Sequence, residues 1–239
     1  MSENIRNIQG FSRRLLLRGL GALGFFLSLP RAGWSFFKEH FPVRTVEKEG
    51  WTFDPTSGRI RYRSGGEEIY HLVVDGLVEA PVRWSYNELR ALPQVEQVSD
   101  FHCVEGWSVA DLRWGGIRFE EILKKVKPTP GARFVVFHSL GETRGAPEGQ
   151  SHYVESFPIS QLLNPEKQAL LALDLDGKPL PFDHGAPLRV ISPFDLAYKS
   201  IKYVTRIELA ADRQEGWWTL ANPIYPVEAP VPPARLRRR

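Results

Sequence analysis

Short apolar runs separated by turn residues make up most of this chain, and their periods predict the elements. Tyr70 to Val78 reads as two short strands meeting at Asp75-Gly76, a dipeptide that favours tight hairpin turns. Ser85-Tyr-Asn-Glu88 has the spacing of a capping box ahead of Leu89 and Leu92, so a short helix starts there. Val95 to His102 reads as a strand. From Gly116 to Val126 the apolar positions Ile117, Ile122, Leu123 and Val126 give an amphipathic helix that stops before Pro128. Arg133 to Leu140 is a buried strand with His138 and Ser139 at its exit, and residues 141–152 form a polar loop. Ser160 to Leu163 begins a helical turn, and Ala169 to Leu173 is strand or helix. Asp176-Gly177 turns the chain and Leu188 to Ile191 is a strand. From Ser200 on, Ile201, Tyr203, Thr205, Ile207 and Leu209 share one face of a period-2 strand. Residues 44–68 read as polar and turn-rich, broken at Asp54-Pro55 and Gly65-Gly66. The Pro-rich stretch from Asn222 onward wraps the surface or frays. Short strands, short helices and many turns without regular βαβ alternation predict an α+β fold with mixed sheets.

The N-terminal pattern is different. Ser12-Arg13-Arg14-Leu15-Leu16-Leu17-Arg18 precedes an apolar run from Gly19 to Leu29, 11 residues long. That is shorter than the roughly 20 needed to span a bilayer as a helix, and it is the length of a secretory h-region. The paired arginines resemble a twin-arginine export signal, a route that carries folded proteins already loaded with cofactor. Residues 1–33 are therefore expected to address the chain to the periplasm. Leu29-Pro-Arg-Ala-Gly33 matches a cleavage site poorly, which leaves a retained anchor open.

Charge changes the picture less than the totals suggest. The formal net charge is +3 over 239 residues. Five Arg and one Glu lie in residues 1–33 and four Arg in 235–239, leaving 22 basic and 27 acidic residues between them. A net −5 interior gives no basic face for nucleic acid. No Walker loop occurs, and the Gly-x-Gly-x-x-Gly spacing at Gly19 to Gly24 falls inside the N-terminal apolar run rather than after a strand, so a nucleotide-binding fold has no support.

The chemistry gathers around Asp100-Phe-His-Cys-Val-Glu-Gly-Trp-Ser108, which holds the single cysteine of the chain. A lone thiol forms no internal disulfide, so Cys103 is core filler, a nucleophile or a metal ligand. Core filler is the bland reading, since free cysteine is among the most buried residue types. A nucleophile needs a base from elsewhere in the fold, and no histidine is singled out for that by sequence. The six histidines, 40, 71, 102, 138, 152 and 184, are scattered. They do not have the spacing of a protein-only zinc centre, so a metal at Cys103 must bring its other ligands with a cofactor. In an extended stretch His102 points to the face opposite Cys103. Glu105 is either a proton-handling group beside the sulfur or a solvated loop carboxylate. A second constellation, His184-Gly-Ala-Pro-Leu-Arg189 with Lys199-Ser-Ile-Lys202, offers cations and backbone amides in the manner of a phosphate cradle. Its bland reading is a set of solvated strand cations.

Cys-Val-Glu-Gly-Trp-Ser, His-Gly-x-Pro-Leu-Arg and Lys-Ser-Ile-Lys together resemble the molybdopterin-binding domain of the sulfite oxidase family, from about Phe36 to Pro230. Within it, Glu-Gly-Trp after the cysteine and Ala221-Asn-Pro…Val227-Glu-Ala-Pro230 look most like the periplasmic molybdenum subunits of protein-methionine-sulfoxide reductases. The resemblance implies a sulfite-oxidase-type fold over residues 34–230, followed by a basic tail at 231–239. It implies that Cys103 binds molybdenum beside the pterin dithiolene. His40, Ser139, His184 and Arg189 then contact the cofactor, and Ser200, Ile201 and Lys202 hold its phosphate end. Glu105 then lies near the metal as a catalytic group. A thiolate is a soft donor suited to such a centre, and cytoplasmic cofactor loading agrees with the export signal.

Departures limit what is carried over. Sulfite oxidases follow this cysteine with Ala-Gly-Asn-Arg-Arg, cations for an anionic substrate, and carry an arginine where Lys38 stands. Here Val-Glu-Gly-Trp-Ser puts an acid in that place, which disfavours sulfite. The expected activity is molybdenum–molybdopterin-dependent oxygen-atom transfer, with reduction of a small or protein-bound S- or N-oxide such as methionine sulfoxide. A separate electron carrier, a membrane haem protein or a soluble cytochrome, is expected, and a monomer. Alternatives are a sulfite-oxidising enzyme and a non-catalytic exported cofactor-binding protein.

Overall fold

The computed structural model describes residues 48, 50–222 and 224–237. They form three sheets with short helices between them. The first is antiparallel: β1 (Trp51–Asp54), β2 (Arg59–Tyr62) and β3 (Glu67–Ile69), in that order. The polar, turn-rich reading of 44–68 does not include these strands. Asp54-Pro55 and Gly65-Gly66 punctuate hairpins there, and Trp51 and Ile60 are the inward residues of strands too short to display a period.

The second sheet runs β11-β10-β7-β6, with β12 also on β10. Its strands are β6 (Val95–His102), β7 (Ser108–Ile117), β10 (Leu170–Leu175), β11 (Lys178–Pro179) and β12 (Arg189–Ile191). β10 resolves the strand-or-helix ambiguity. Leu171 and Leu173 face one core and Leu170, Ala172 and Leu175 another, so both faces are buried and the alternation disappears from sequence. Gly116, expected in a helix, lies in β7. A Cβ there would sit 2.0 Å from the Leu171 carbonyl oxygen, so the close approach of β7 to β10 requires glycine.

The third sheet has the order β5-β4-β13-β8-β9. Its strands are β4 (His71–Gly76), β5 (Val82–Ser85), β8 (Phe134–Ser139), β9 (Val154–Pro158) and β13 (Val204–Ala210). The hairpin expected at Asp75-Gly76 is absent. β4 runs through Asp75, and β5 returns only after residues 77–81. Gly76 has φ +85 and would place a Cβ 2.3 Å from the Leu209 carbonyl oxygen, so it serves the close pairing with β13 rather than a turn. Central β13 pairs parallel with β4 and antiparallel with β8. Asp176-Gly177 is a true two-residue hairpin turn between β10 and β11, both residues at positive φ.

Among the described residues four short α-helices fill the connections: α1 (Tyr86–Ala91), α2 (Phe119–Val126), α3 (Ile159–Leu163) and α4 (Trp217–Ala221). The capping box at α1 forms as its spacing predicts: the Glu88 amide donates to Ser85 Oγ at 3.4 Å and the Ser85 amide to Glu88 Oε2 at 2.7 Å. α2 buries Phe119, Ile122, Leu123 and Val126, and Phe119, Phe137 and Phe157 make successive edge-to-face contacts through the larger core. After α4 the chain lies along the body rather than fraying. The Leu196 amide donates to Ala229 and the Val231 amide to Phe194. No helix among the described residues is long and apolar enough to cross a membrane.

Candidate functional site

β6 ends at His102, and the chain then turns sharply through Cys103-Val-Glu-Gly-Trp107 into β7. Two backbone bonds close the turn: the Cys103 amide donates to Trp107 at 2.9 Å, and the Gly106 amide to Cys103 at 3.2 Å. Gly106 takes φ +96, which an L side chain would resist. The turn leaves Cys103 half-buried, with Val104 and Glu105 exposed. Glu105 bends back over it. Its Oε2 lies 4.0 Å from Cys103 Sγ and accepts the Trp107 indole N–H at 3.2 Å. Sulfur, carboxylate and indole therefore share one small surface. His102 points inward and exchanges a 2.8 Å bond with Ser108 Oγ. Burial, then the Arg235 charge, holds its pKa below the ordinary imidazole value.

Arg189, on β12, reaches the cysteine strand from behind. Its guanidinium carbon stands 5.1 Å from the Phe101 ring centroid and 5.5 Å from that of Trp114. Nη1 donates to the His184 carbonyl at 2.7 Å and Nη2 to that of Ser200 at 2.9 Å. Only 4% of the residue is exposed. Arg189 thus joins the two halves of the 184–202 segment and seats both against β6. Gly185, at φ +111, sits where a Cβ would be 2.8 Å from Lys202 Cγ. Its carbonyl accepts the Tyr203 amide at 3.1 Å, and the Tyr203 carbonyl accepts the Leu140 amide at 2.8 Å. Through those two bonds the exit of β8, with Ser139, meets the same segment.

The individual roles are uneven. His184, Ser200 and Ile201 are buried; Lys202 is half-buried, its ammonium 3.4 Å from the Asp183 carbonyl and 4.9 Å from the Tyr203 ring centroid. Ser200 Oγ accepts the Ser192 amide, and the Ile201 side chain belongs to the core. Ser139 Oγ accepts the Tyr153 amide at 3.1 Å. His40 and Lys38 lie outside the described residues, as does the expected export segment. Lys199 corrects the phosphate-cradle reading. Its ammonium turns into the interior, ion-paired with Glu155 and 4.8 Å from the Phe157 ring centroid. Burial pushes the Glu155 carboxyl above the ordinary carboxylate range, an effect that Lys199 partly offsets.

The residue that sequence missed is Arg235, which stacks three hydrogen bonds against the Cys103 turn from 132 positions away. It reads in sequence as one more charge of a basic tail. Arg237 beside it forks onto both Asp100 and Asp111.

The donor set fits a soft-metal cofactor carrying an anionic end. One thiol lies at an accessible turn, and a glycine-narrowed segment with Arg189 and Lys202 lies behind it. Among the described residues no three His, Cys, Asp or Glu side chains converge as a metal site.

Residues 60–218 match the family described as oxidoreductase molybdopterin binding domain. The chain is 31% identical over 240 residues to the protein-methionine-sulfoxide reductase catalytic subunit MsrP of Ralstonia nicotianae, covering 88% of this chain and 72% of that one. It is also 31% identical over 159 residues to the MsrP of Pseudomonas syringae pv. tomato, across 63% of this chain and 46% of that one. In fold it is similar to the sulfane dehydrogenase SoxCD from Paracoccus pantotrophus, with a TM-score of 0.52 at 17% identity, covering 88% of this chain and 57% of that one.

Proposed function

Because the chain belongs to the oxidoreductase molybdopterin-binding family, we propose that it reduces S-oxides, with methionine sulfoxide the preferred class, at a centre built on the Cys103 turn. The observation that carries this reading is the pairing of Cys103 Sγ with Glu105 Oε2 at 4.0 Å on an accessible turn. A soft donor for the metal and a carboxylate stand together there, in a turn that has Trp107 and Ser108 where a sulfite oxidase carries its two arginines. Bound here, a molybdenum–pterin group supplies two-electron oxygen-atom transfer. The overall balance is sulfoxide plus two electrons and two protons giving sulfide and water.

This chain's own residues supply the rest. Cys103 holds the cofactor through its thiolate. Glu105, oriented by the Trp107 indole, would be the proton-handling carboxyl beside the metal site. Arg189 keeps the His184 and Ser200 carbonyls turned toward itself, and Lys202 lies at the rim of that segment for the phosphate end. His40 and Ser139 complete the cofactor contacts in this reading. The 31% identity to two methionine-sulfoxide reductase subunits supports the substrate class. Residues 1–33 act as a twin-arginine signal to the periplasm, 34–230 form the catalytic domain, and a membrane haem protein or soluble cytochrome delivers electrons to a monomer.

The test uses full-length protein from a molybdenum-competent host. Molybdenum and pterin are expected near one per chain. Dye-linked reduction of methionine sulfoxide is expected to exceed that of dimethyl sulfoxide and trimethylamine N-oxide, and Cys103→Ser should lose both metal and turnover. Faster sulfite oxidation than sulfoxide reduction would reverse the assignment, and pterin bound without turnover would make the protein a carrier.

A further inference from the structure

The Cys103 turn is closed by its own backbone and then closed again by a side chain. The Cys103 carbonyl accepts from the Gly106 amide, and the Trp107 carbonyl from the Cys103 amide. The Arg235 guanidinium bridges those same two carbonyls, Nη1 donating to Cys103 at 2.9 Å and Nη2 to Trp107. Nη2 also donates to Ser108 Oγ at 2.9 Å, the hydroxyl already bonded to His102. One planar cation therefore spans both ends of the turn and ties it to the last residue of β6. Arg235 itself is fixed. It ends a 3₁₀ turn, Pro233–Arg235, with its amide donating to Pro232, and the preceding Val231 is bonded to Phe194.

We infer that Arg235 is a positioning residue for the metal-binding thiolate: its fork sets the plane of the Cys103 carbonyl and so the direction in which Sγ leaves the backbone. This rests on the reading of Cys103 as the molybdenum ligand. The physical reason is that a tight turn of exposed residues has little packing to fix it. A single fork satisfying two carbonyls removes the freedom that a ligand needs to lose before binding. Lysine supplies the charge but not the planar fork, so charge and geometry are separable. Residues that orient ligands from behind change affinity or activity by about 10–100-fold when removed.

The experiment compares wild type, Arg235→Ala, Arg235→Lys and Arg237→Ala as full-length proteins, each prepared with and without cofactor. Hydrogen exchange of the peptide covering residues 101–108 reads the turn directly. Arg235→Ala should exchange there about tenfold faster, with strands elsewhere unchanged. In loaded protein the Mo(V) electron paramagnetic resonance spectrum reads the sulfur's orientation. Arg235→Ala and Arg235→Lys should both alter its g-values and lower kcat about 10–100-fold. Arg237→Ala, which removes the Arg237 contacts to Asp100 and Asp111 but leaves the Arg235 fork, should keep the wild-type spectrum. Wild-type exchange and spectrum in Arg235→Ala would overturn the inference, as would an equal change in Arg237→Ala, which would assign the effect to tail attachment. Wild-type protein that binds no molybdenum while Arg235→Ala still loosens the turn would overturn the Cys103 reading instead, and the ligand-positioning role with it.

Discussion

Glu105 illustrates how one side chain depends on its neighbours. Its carboxylate is exposed, yet the Trp107 indole at 3.2 Å and the Cys103 sulfur at 4.0 Å give it a direction. Glu105→Gln keeps the shape and removes the transferable proton. It should retain molybdenum while kcat falls about 10²-fold or more, as loss of a general acid does; metal analysis beside steady-state kinetics checks both halves. Trp107→Phe keeps the proton but releases the carboxylate, so its loss should be smaller and fall in the same parameter. The nearness of the Cys103 and Glu105 side chains was legible because the two lie two positions apart in a chemically unusual stretch. Arg235 was not. A charge whose partners are backbone carbonyls 132 and 128 residues away has no local signature, and four arginines in five positions look like a solvated tail. Lys199 misled for a related reason, because sequence does not tell a cation in a cradle from one that meets a buried Glu155.

At the scale of elements, the site is held by strands brought unusually close and by one buried ion pair. Gly116→Ala forces β7 away from β10, because its Cβ would stand 2.0 Å from a backbone oxygen that cannot rotate away. Overpacking of that kind costs about 1–3 kcal/mol or more, and urea unfolding should register it. Lys199→Ala leaves Glu155 buried without its cation. The expected loss is about 3–5 kcal/mol, with the 197–202 segment loosened beneath Arg189. Most strands and the α1 cap were readable, since the period of two and the Ser85–Glu88 spacing are local. The failures share a cause. β10 faces protein on both sides, Gly116 of β7 lies against the Leu171 carbonyl, and Gly76 of β4 lies against Leu209 of β13, so burial and glycine there answer to distant backbone rather than to a turn.

Across the whole molecule, the pattern fixed the class, α+β with mixed sheets, but not the pairing of the sheets. The network around His138 gives that body a pH dependence. His138 bonds to His152 at 2.9 Å and to Glu208 at 3.2 Å, with Arg206 alongside. Burial first, then His152 and Arg206, lower its pKa to about 4. An unfolded histidine titrates near 6.5, so between those values the unfolded chain binds more protons. The stabilisation from this group is complete above pH 6.5 and is lost as pH falls through about 4, about 1–3 kcal/mol in all. Glu155 and Asp195, raised by burial, act in the opposite sense. The difference in unfolding free energy between wild type and His138→Gln therefore isolates the histidine. It should rise from pH 4 to 6.5 and be flat above. The order β5-β4-β13-β8-β9 has a consequence in time as well. β4 with β5, and β8 with β9, are hairpins that can form as they leave the ribosome, but the strand between them comes last. Asp75 and Arg206, which meet across that junction, are 131 residues apart. Until β13 emerges, the nascent chain holds two half-sheets with bare inner edges, and closing so long a loop makes their joining the slow event of folding.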